Sequence, residues 1–293
     1  MENRIKKVMT ELESGVWFLV TDRRNVRYLS GFTGSSGYVL LGDGKAYFIT
    51  DFRYTEQAKS QCPHLEVVTH GQNVWDLVSS LTAKAKELLV EENQITLSMY
   101  KELQEMVKAE VKGTKGRVEK LRIVKDATEI ALIKKAAQIT DEAFEEICGM
   151  IKPGVTEKQI SQELEFAMKR KGASHVAFDF IVASGVRGAL PHGVASDKVI
   201  QSGEFVTMDI GAVYEGYYSD MTRTVAVGPL DERLQEIYNI VLHAQEESLK
   251  AVEAGKSCRE IDKIARDIIS AAGYGDYFGH GLGHGVGLDI HEE

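Results

Sequence analysis

The sequence predicts an α/β domain over residues 1–122 and a second domain, α+β in character, over residues 123–293. Three observations carry that reading. Short apolar runs alternate with helix-like patterns through the first part, the mark of an α/β domain. A pair of helical segments then recurs at a fixed offset of 101 residues, and self-similarity of this kind marks a duplicated unit. Between the two copies lies Glu204–Val227, EFVTMDIGAVYEGYYSDMTRTVAV, where apolar and β-branched residues alternate with polar ones around a tight connection. That pattern reads as two strands.

In chain order, Ile5, Val8, Met9 and Leu12 recur at helical spacing and predict a surface helix over residues 3–13. Strand-like runs follow at Val16–Val20, Tyr38–Leu41, Ala46–Ile49, Leu65–Val68 and Glu87–Val90, with helical patterns at Tyr54–Ser60 and Val74–Lys86. The loop GFTGSSG (Gly31–Gly37) carries no following Lys and no GxGxxG, so it reads as a turn rather than a phosphate cradle. Val111–Arg122, basic and glycine-punctuated, is the predicted boundary between the domains.

Beyond it, Ala127–Met150 has the apolar stripe of a long amphipathic helix, ended by Pro153–Gly154. Thr156 is the predicted N-cap of a second helix running to about Lys171. At the offset, Ile139 matches Ile240, Ala143 matches Ala244, Gly154 matches Gly255, Ile160 matches Ile261 and Gly172 matches Gly273. The duplication predicts a pseudo-two-fold unit of two helices and strands. Counterparts of the Thr207–Val227 strands would fall beyond residue 293, so on internal symmetry the chain is expected to lack them.

Composition narrows the function. Apolar residues make up 43% and charged ones 27%, as in a globular protein with a sizeable core. The net charge of −9, with no dense Lys/Arg run, excludes nucleic acid and anionic membrane as partners. Cys62, Cys148 and Cys258 are scattered and have no CxxC spacing, which fits a reducing cytoplasm without a disulfide framework. The first apolar run, Val16–Val20, is too short for a signal peptide or a membrane span.

The chemistry sits in three stretches. In the simplest hairpin register Val213 lies opposite Gly216, and Asp209 then faces Asp220. Opposed residues share a face with Cβ atoms about 4.5–5.5 Å apart, and like charges there destabilise. Each aspartate stands in an apolar strand, where an unpaired carboxylate is costly to desolvate. A divalent cation between them resolves both problems; a protonated or Arg-paired dyad is the alternative.

In Gly279–His291, GHGLGHGVGLDIH, five glycines alternate with larger residues and predict an extended segment. His280, Leu282, His284 and Val286 share one face, and His291 points the other way unless a turn intervenes. The glycines speak against a helical HxxxH zinc motif. In the third stretch, Phe178–His192, Ile181–Ala183 is a short strand, Ser184–Gly188 a turn, and Pro191-His192-Gly193 a constrained loop. On its own His192 reads as a surface histidine. Together, two facing carboxylates and nearby imidazoles suit a dinuclear metal site, and oxygen-rich ligation favours Mn²⁺, with Co²⁺ or Zn²⁺ as alternatives. Paired ions about 3.5–4 Å apart activate water and polarise a carbonyl, which is hydrolytic chemistry.

These motifs, VTMDIGA with YYSDMTRT, IVASGVRGALPHG and HGLGHGVGLDIHE, together resemble the pita-bread metallopeptidases. The branch they resemble is the Xaa-Pro peptidases, namely Xaa-Pro dipeptidase (prolidase) and aminopeptidase P. NVRYLSGFTGSSGYVLL and TDFRYTEQA are similar to the creatinase-type N-terminal domain of those enzymes, and LRIVKDATEIALIKKAAQITDEAF to the entry into their catalytic domain. The likeness covers nearly the whole chain.

The resemblance implies two divalent ions, one chelated by Asp209, both bridged by Asp220 and the other held by His284. It implies that His192 and His291 hydrogen-bond the scissile carbonyl or the tetrahedral intermediate, where charge develops, and that His280 lines the pocket for the proline side. The implied reaction is hydrolysis of the bond before proline in proline-containing peptides, by a homodimer. Family members complete the ligand set with two glutamates on strands beyond the HGLGH segment, one of them the proton-handling base. The 293 residues do not include them, so this polypeptide is expected to bind metal weakly and to hydrolyse little. Two other enzymes of the fold fit less well: the N-terminal domain speaks against methionine aminopeptidase, and the paired aspartates against creatinase, which needs no metal. A non-catalytic peptide- or protein-binding module is the alternative from another class, and Asp209, Asp220 and His284 speak against it.

Overall fold

The computed structural model describes residues 1–292. The chain forms two compact units, one running from Met1 to Val124 and the other beginning at Lys125. Among the described residues no helix is long and apolar enough to cross a membrane.

The first unit contains α1 (Glu2–Thr10), β1 (Val16–Val20), α2 (Arg23–Ser30), β2 (Tyr38–Gly42), β3 (Lys45–Thr50), α3 (Thr55–Gln61), β4 (Glu66–Thr69), α4 (Val74–Leu81), β5 (Glu87–Glu91), α5 (Leu97–Met106), β6 (Glu110–Thr114) and α6 (Glu119–Arg122). Its six strands form one mixed sheet in the order β4-β3-β2-β1-β5-β6. Phe18, Leu19, Leu40, Leu41, Phe48, Ile49 and Leu88 are fully buried. The central strands read as continuous apolar runs because both of their faces are covered. β2 and β3 are joined by Asp43-Gly44, with φ of 47° and 75°, the two positive values a type I′ turn requires.

Helices α2 and α5 fall where no element is predicted, and β6 overlaps the predicted boundary segment. The first unit ends at Val124, two residues beyond the expected boundary at 122, and Val111–Arg122 is a structured end of that unit rather than a bare connection. It supplies edge strand β6, buries Val111 and Val118, and sends Arg122 Nη1 to Asn25 Oδ1 at 2.8 Å. Its basic look has a structural cause. Lys112 pairs with Glu87 at 2.6 Å and Lys115 with Glu92 at 2.8 Å, charges of the sort that keep a sheet edge from pairing with another chain.

The second unit contains α7 (Ala127–Ile147), α8 (Glu157–Arg170), β7 (His175–Val176), β8 (Ile181–Ser184), β9 (Glu204–Ile210), β10 (Ala212–Tyr214), β11 (Tyr217–Tyr218), β12 (Met221–Val227), α9 (Glu232–Ala251) and α10 (Cys258–Ala271). Helices α8 and α10 are both 14 residues long and start at the predicted offset, and each opens with a reciprocal capping box, Thr156 with Gln159 and Ser257 with Glu260. Helices α7 and α8 pack Ile139, Ile147, Ile160, Leu164 and Met168 against Val182, Val206, Met208 and Ile210 of the strands. Ala244 of α9 and Ala265 and Ile269 of α10 form a separate small core.

The predicted pair of strands is four strands in two sheets, β12-β9-β8 and β11-β10-β7. The turn is Glu215-Gly216, with φ of 48° and 76°, again a type I′ pair whose second position favours glycine. This sets Tyr214 opposite Tyr217 and Asp209 opposite Thr222, which corrects the predicted register by two residues. An even slip keeps every side chain on its face. Asp220 therefore moves from opposite Asp209 to diagonal from it, on the same side.

Gly211 is where the chain passes from one sheet to the other. A Cβ there would lie 2.1 Å from the Ser219 carbonyl oxygen and 2.9 Å from Ala177 Cβ. Close by, the Ser219 amide donates to Ala212 O at 2.9 Å. Because the obstacle at Gly211 is backbone, Gly211→Ala can be accommodated only if the strands part. Overpacking of this kind costs about 1–3 kcal/mol, and we expect the upper end, read as a lowered Tm in thermal unfolding.

Candidate metal centre

Asp209 is half-buried near the end of β9, and its Oδ1 is buried without a hydrogen-bond partner among the described residues. Burial pushes its carboxyl above the ordinary aspartate range, and the adjacent Asp220 charge adds to this against a hydrogen bond from Thr222. Asp220 stands between β11 and β12 with its side chain 27% exposed, and its Oδ2 lies 3.2 Å from His284 Nε2.

The expectation of an extended Gly279–His291 segment is corrected. The stretch is irregular and folds back on itself through one antiparallel bridge, in which Gly285 N donates to Glu292 O at 3.0 Å and Glu292 N to Gly285 O at 2.9 Å. The backbone does come close at Gly287, whose carbonyl accepts from Tyr218 N at 2.9 Å. Glu292 is pinned by Lys125 at 2.9 Å. The intervening turn reverses the parity argument, so His291 lies beside His284 with ring centroids 4.2 Å apart and planes tilted at 51°.

The structure thus gathers Asp209, Asp220, His284 and His291. His280 is not in direct contact with them: its ring lies 5.3 Å from that of Phe278, and its Nδ1 bonds Gly281 O at 2.7 Å. His192 is exposed in the turn that follows a short 3₁₀ segment, Gly185–Ala189. One buried side chain that sequence reasoning missed, Glu157, holds that loop. Its Oε1 accepts from Ser184 N and Oγ at 2.7 and 2.9 Å, and its Oε2 from Arg187 Nε, Ser196 N and Ser196 Oγ at 3.0, 3.1 and 2.6 Å. Burial pushes this carboxyl up, but the serine hydrogen bonds outweigh it and hold it below the ordinary glutamate value. The only sequence signal was an acid directly after a helix cap.

Do these residues suit a divalent ion? His284 Nδ1 donates to Gly285 O at 2.9 Å, which leaves Nε2 of the neutral ring as a lone pair. Nε2 lies 3.2 Å from a carboxylate oxygen of Asp220, a contact that needs either a proton or a cation between its atoms, beside a second carboxylate with a stranded oxygen. A cation satisfies all three groups at once. Among the described residues no three His, Cys, Asp or Glu side chains already stand as a finished metal cage, so the side chains must turn to close on one. The donor chemistry fits.

Comparisons with known proteins identify the family. Residues 131–293 match metallopeptidase family M24, and residues 3–124 match the Creatinase/Prolidase N-terminal domain. An Xaa-Pro dipeptidase of Pyrococcus furiosus is 42% identical over 271 residues, 92% of this chain and 76% of that protein. An uncharacterised peptidase of Bacillus subtilis is 48% identical over 279 residues, covering 94% and 78% of the two chains. The structure of an Xaa-Pro dipeptidase from Bacillus anthracis superposes with a TM-score of 0.97 at 47% identity, over 100% of this chain and 83% of the other. That of an X-Pro aminopeptidase from Thermotoga maritima does so at 0.91 and 39%, over 99% and 84%. With two carboxylates and an imidazole converging on a pita-bread scaffold, the chain belongs to metallopeptidase family M24, an enzyme of divalent-metal chemistry preceded by a Creatinase/Prolidase N-terminal domain.

Proposed function

We propose that this chain hydrolyses the peptide bond preceding proline, with Asp209, Asp220 and His284 as ligands to two divalent ions, Mn²⁺ foremost and Co²⁺ or Zn²⁺ as alternatives. The supporting observation is the confrontation of His284 Nε2 and Asp220 Oδ2 at 3.2 Å beside the stranded Asp209 Oδ1. When bound, such ions polarise the scissile carbonyl and activate water. His291, beside His284, and His192 on its clamped loop orient the carbonyl and donate to the oxygen where charge develops. His280 lines the proline side. The nitrogen of that bond carries no hydrogen, so recognition rests on shape rather than on a donated hydrogen bond. The free thiols Cys62, Cys148 and Cys258 support a cytoplasmic enzyme, and a homodimer is its proposed state.

Assay of Xaa-Pro dipeptides and Xaa-Pro-Xaa tripeptides with added Mn²⁺ tests this reading and separates dipeptidase from aminopeptidase. We expect proline-specific, chelator-sensitive cleavage. Equal cleavage of Xaa-Ala peptides, or cleavage unaffected by chelation, overturns the proposal. A chain that retains no divalent ion is a binding module instead.

A further inference from the structure

We propose that Asp262 and Arg266 are positioning residues, a clamp on α10 that holds the backbone of Phe278–Leu282 and so sets where His284 stands against Asp220. The link to His284 rests on the metal reading above; the clamp itself does not.

Arg266 uses every edge of its guanidinium. Nη1 donates to Phe278 O at 2.9 Å and Nη2 to His280 O at 2.9 Å, while Nε and Nη2 reach the two Asp262 oxygens at 2.9 and 3.1 Å. The plane lies 4.6 Å over the Phe278 ring. Asp262 Oδ1 in turn accepts from Leu282 N at 2.9 Å. Two side chains one helical turn apart thus capture two carbonyls and one amide within five residues of loop.

That loop has little else to order it. Nothing lies within 4 Å of where a Cβ would sit on Gly279, Gly281 or Gly283. Among the described residues, no backbone amide from Gly279 to His284 donates to another backbone group. Glycine is the residue with most freedom to lose, so three of them in six residues make a segment that wanders unless tied. The side chains of Phe278 and Leu282 pack on the α9–α10 core, and the clamp fixes the backbone between them.

The alternative is an ordinary exposed ion pair, which contributes little. Two comparisons speak against it. Lys263 and Asp267 make such a pair on the same helix at 2.6 Å and touch no loop. At the duplicated positions in α8 the residues are Ser161 and Glu165, so the repeated helix folds without the pair. It is present only where a histidine loop of this kind follows. Ligating groups must be held within about 0.5 Å of their working positions, and loss of an outer support lowers metal affinity 10–100-fold.

The test uses the full chain with Arg266→Ala, Arg266→Lys and, as control, Lys263→Ala. Amide hydrogen exchange is followed in peptides covering 278–284, 258–271 and 204–227, and Co²⁺ binding by visible absorption. We expect R266A to exchange about tenfold faster at the Leu282 amide, the loop amide that Asp262 holds, with 258–271 unchanged, and to bind Co²⁺ about 10–100-fold more weakly. R266K recovers neither, since one ammonium cannot span both carbonyls and the bidentate carboxylate, and free guanidinium restores part of both in R266A. K263A behaves as wild type. Unchanged exchange in 278–284, exchange that rises through 258–271 as well, or looser exchange with undiminished Co²⁺ affinity overturns the proposal. A wild-type chain that takes up no Co²⁺ overturns the metal reading instead, and the exchange pattern then decides the clamp by itself.

Discussion

Asp220→Asn is expected to weaken Mn²⁺ or Co²⁺ binding by at least about 100-fold and, in the same protein stripped of metal, to raise stability at neutral pH. The first effect follows from removing the carboxylate that meets both Asp209 and His284, a ligand loss that exceeds the 10–100-fold of an outer-shell change. The second follows from the direction of the Asp209 shift. Burial and then the Asp220 charge raise the Asp209 carboxyl above its unfolded value. A carboxyl raised on folding binds its proton more tightly in the native state. Its contribution is therefore fully present below the ordinary aspartate range and is lost as pH climbs through the raised value. At neutral pH the metal-free site is a net liability, and D220N removes the like charge that adds to the burial of Asp209. Thermal unfolding from pH 4 to 8, with chelator and with excess Mn²⁺, checks both halves. Wild type should gain from metal and D220N should not, while with chelator their order reverses. A variant less stable than wild type in both conditions removes the electrostatic argument for a cation.

That opposition of charges was legible before any coordinates, because Asp209 and Asp220 break two apolar alternations and parity alone puts them on one side. What the sequence left undetermined was the register. A type I′ turn selects Glu215-Gly216 over the neighbouring pair through its demand for two positive φ values, a choice of a single residue in loop position. The glycine-rich end was misread for a related reason. Alternation predicts a strand only where a neighbouring strand supplies hydrogen bonds, and among the described residues no backbone amide from Gly279 to His284 donates to another backbone group. The turn that returns His291 to His284 is closed by the bridge between Gly285 and Glu292, which no local pattern announces. The end of the first unit was legible to within two residues, but strand β6 inside it was not, because Lys112 and Lys115 interrupt its apolar pattern. Glu157 and the Asp262–Arg266 pair were invisible for a third reason: their partners are backbone groups, which carry no sequence signature.

Glu157→Gln carries the other large expected effect, because five donors converge on one fully buried carboxylate. Glutamine keeps the shape and one oxygen, enough for Ser184 N and Oγ. Its NH₂ cannot accept, so Ser196 N and Arg187 Nε lose their acceptor, and a guanidinium is left facing a donor. Breaking a buried charge pair from one side costs about 3–5 kcal/mol, and we expect the low end because Arg187 is 28% exposed and can turn to water. Glu157 is held below the ordinary glutamate value, so its contribution is present above that value and is lost as pH falls through the lowered one. The gap between wild type and E157Q should accordingly be widest at neutral pH and narrow only as pH falls below the ordinary glutamate range. The local consequence is sharper than the global one. Arg187 also donates from Nη2 to Val194 O at 2.7 Å, closing the loop that carries His192 from both ends. With Glu157 gone, trypsin should cut after Arg187 at temperatures where the rest of the chain is intact, whereas the wild-type bond resists. A variant that loses stability without exposing that bond would show that Glu157 supports the core of α8 rather than the histidine loop.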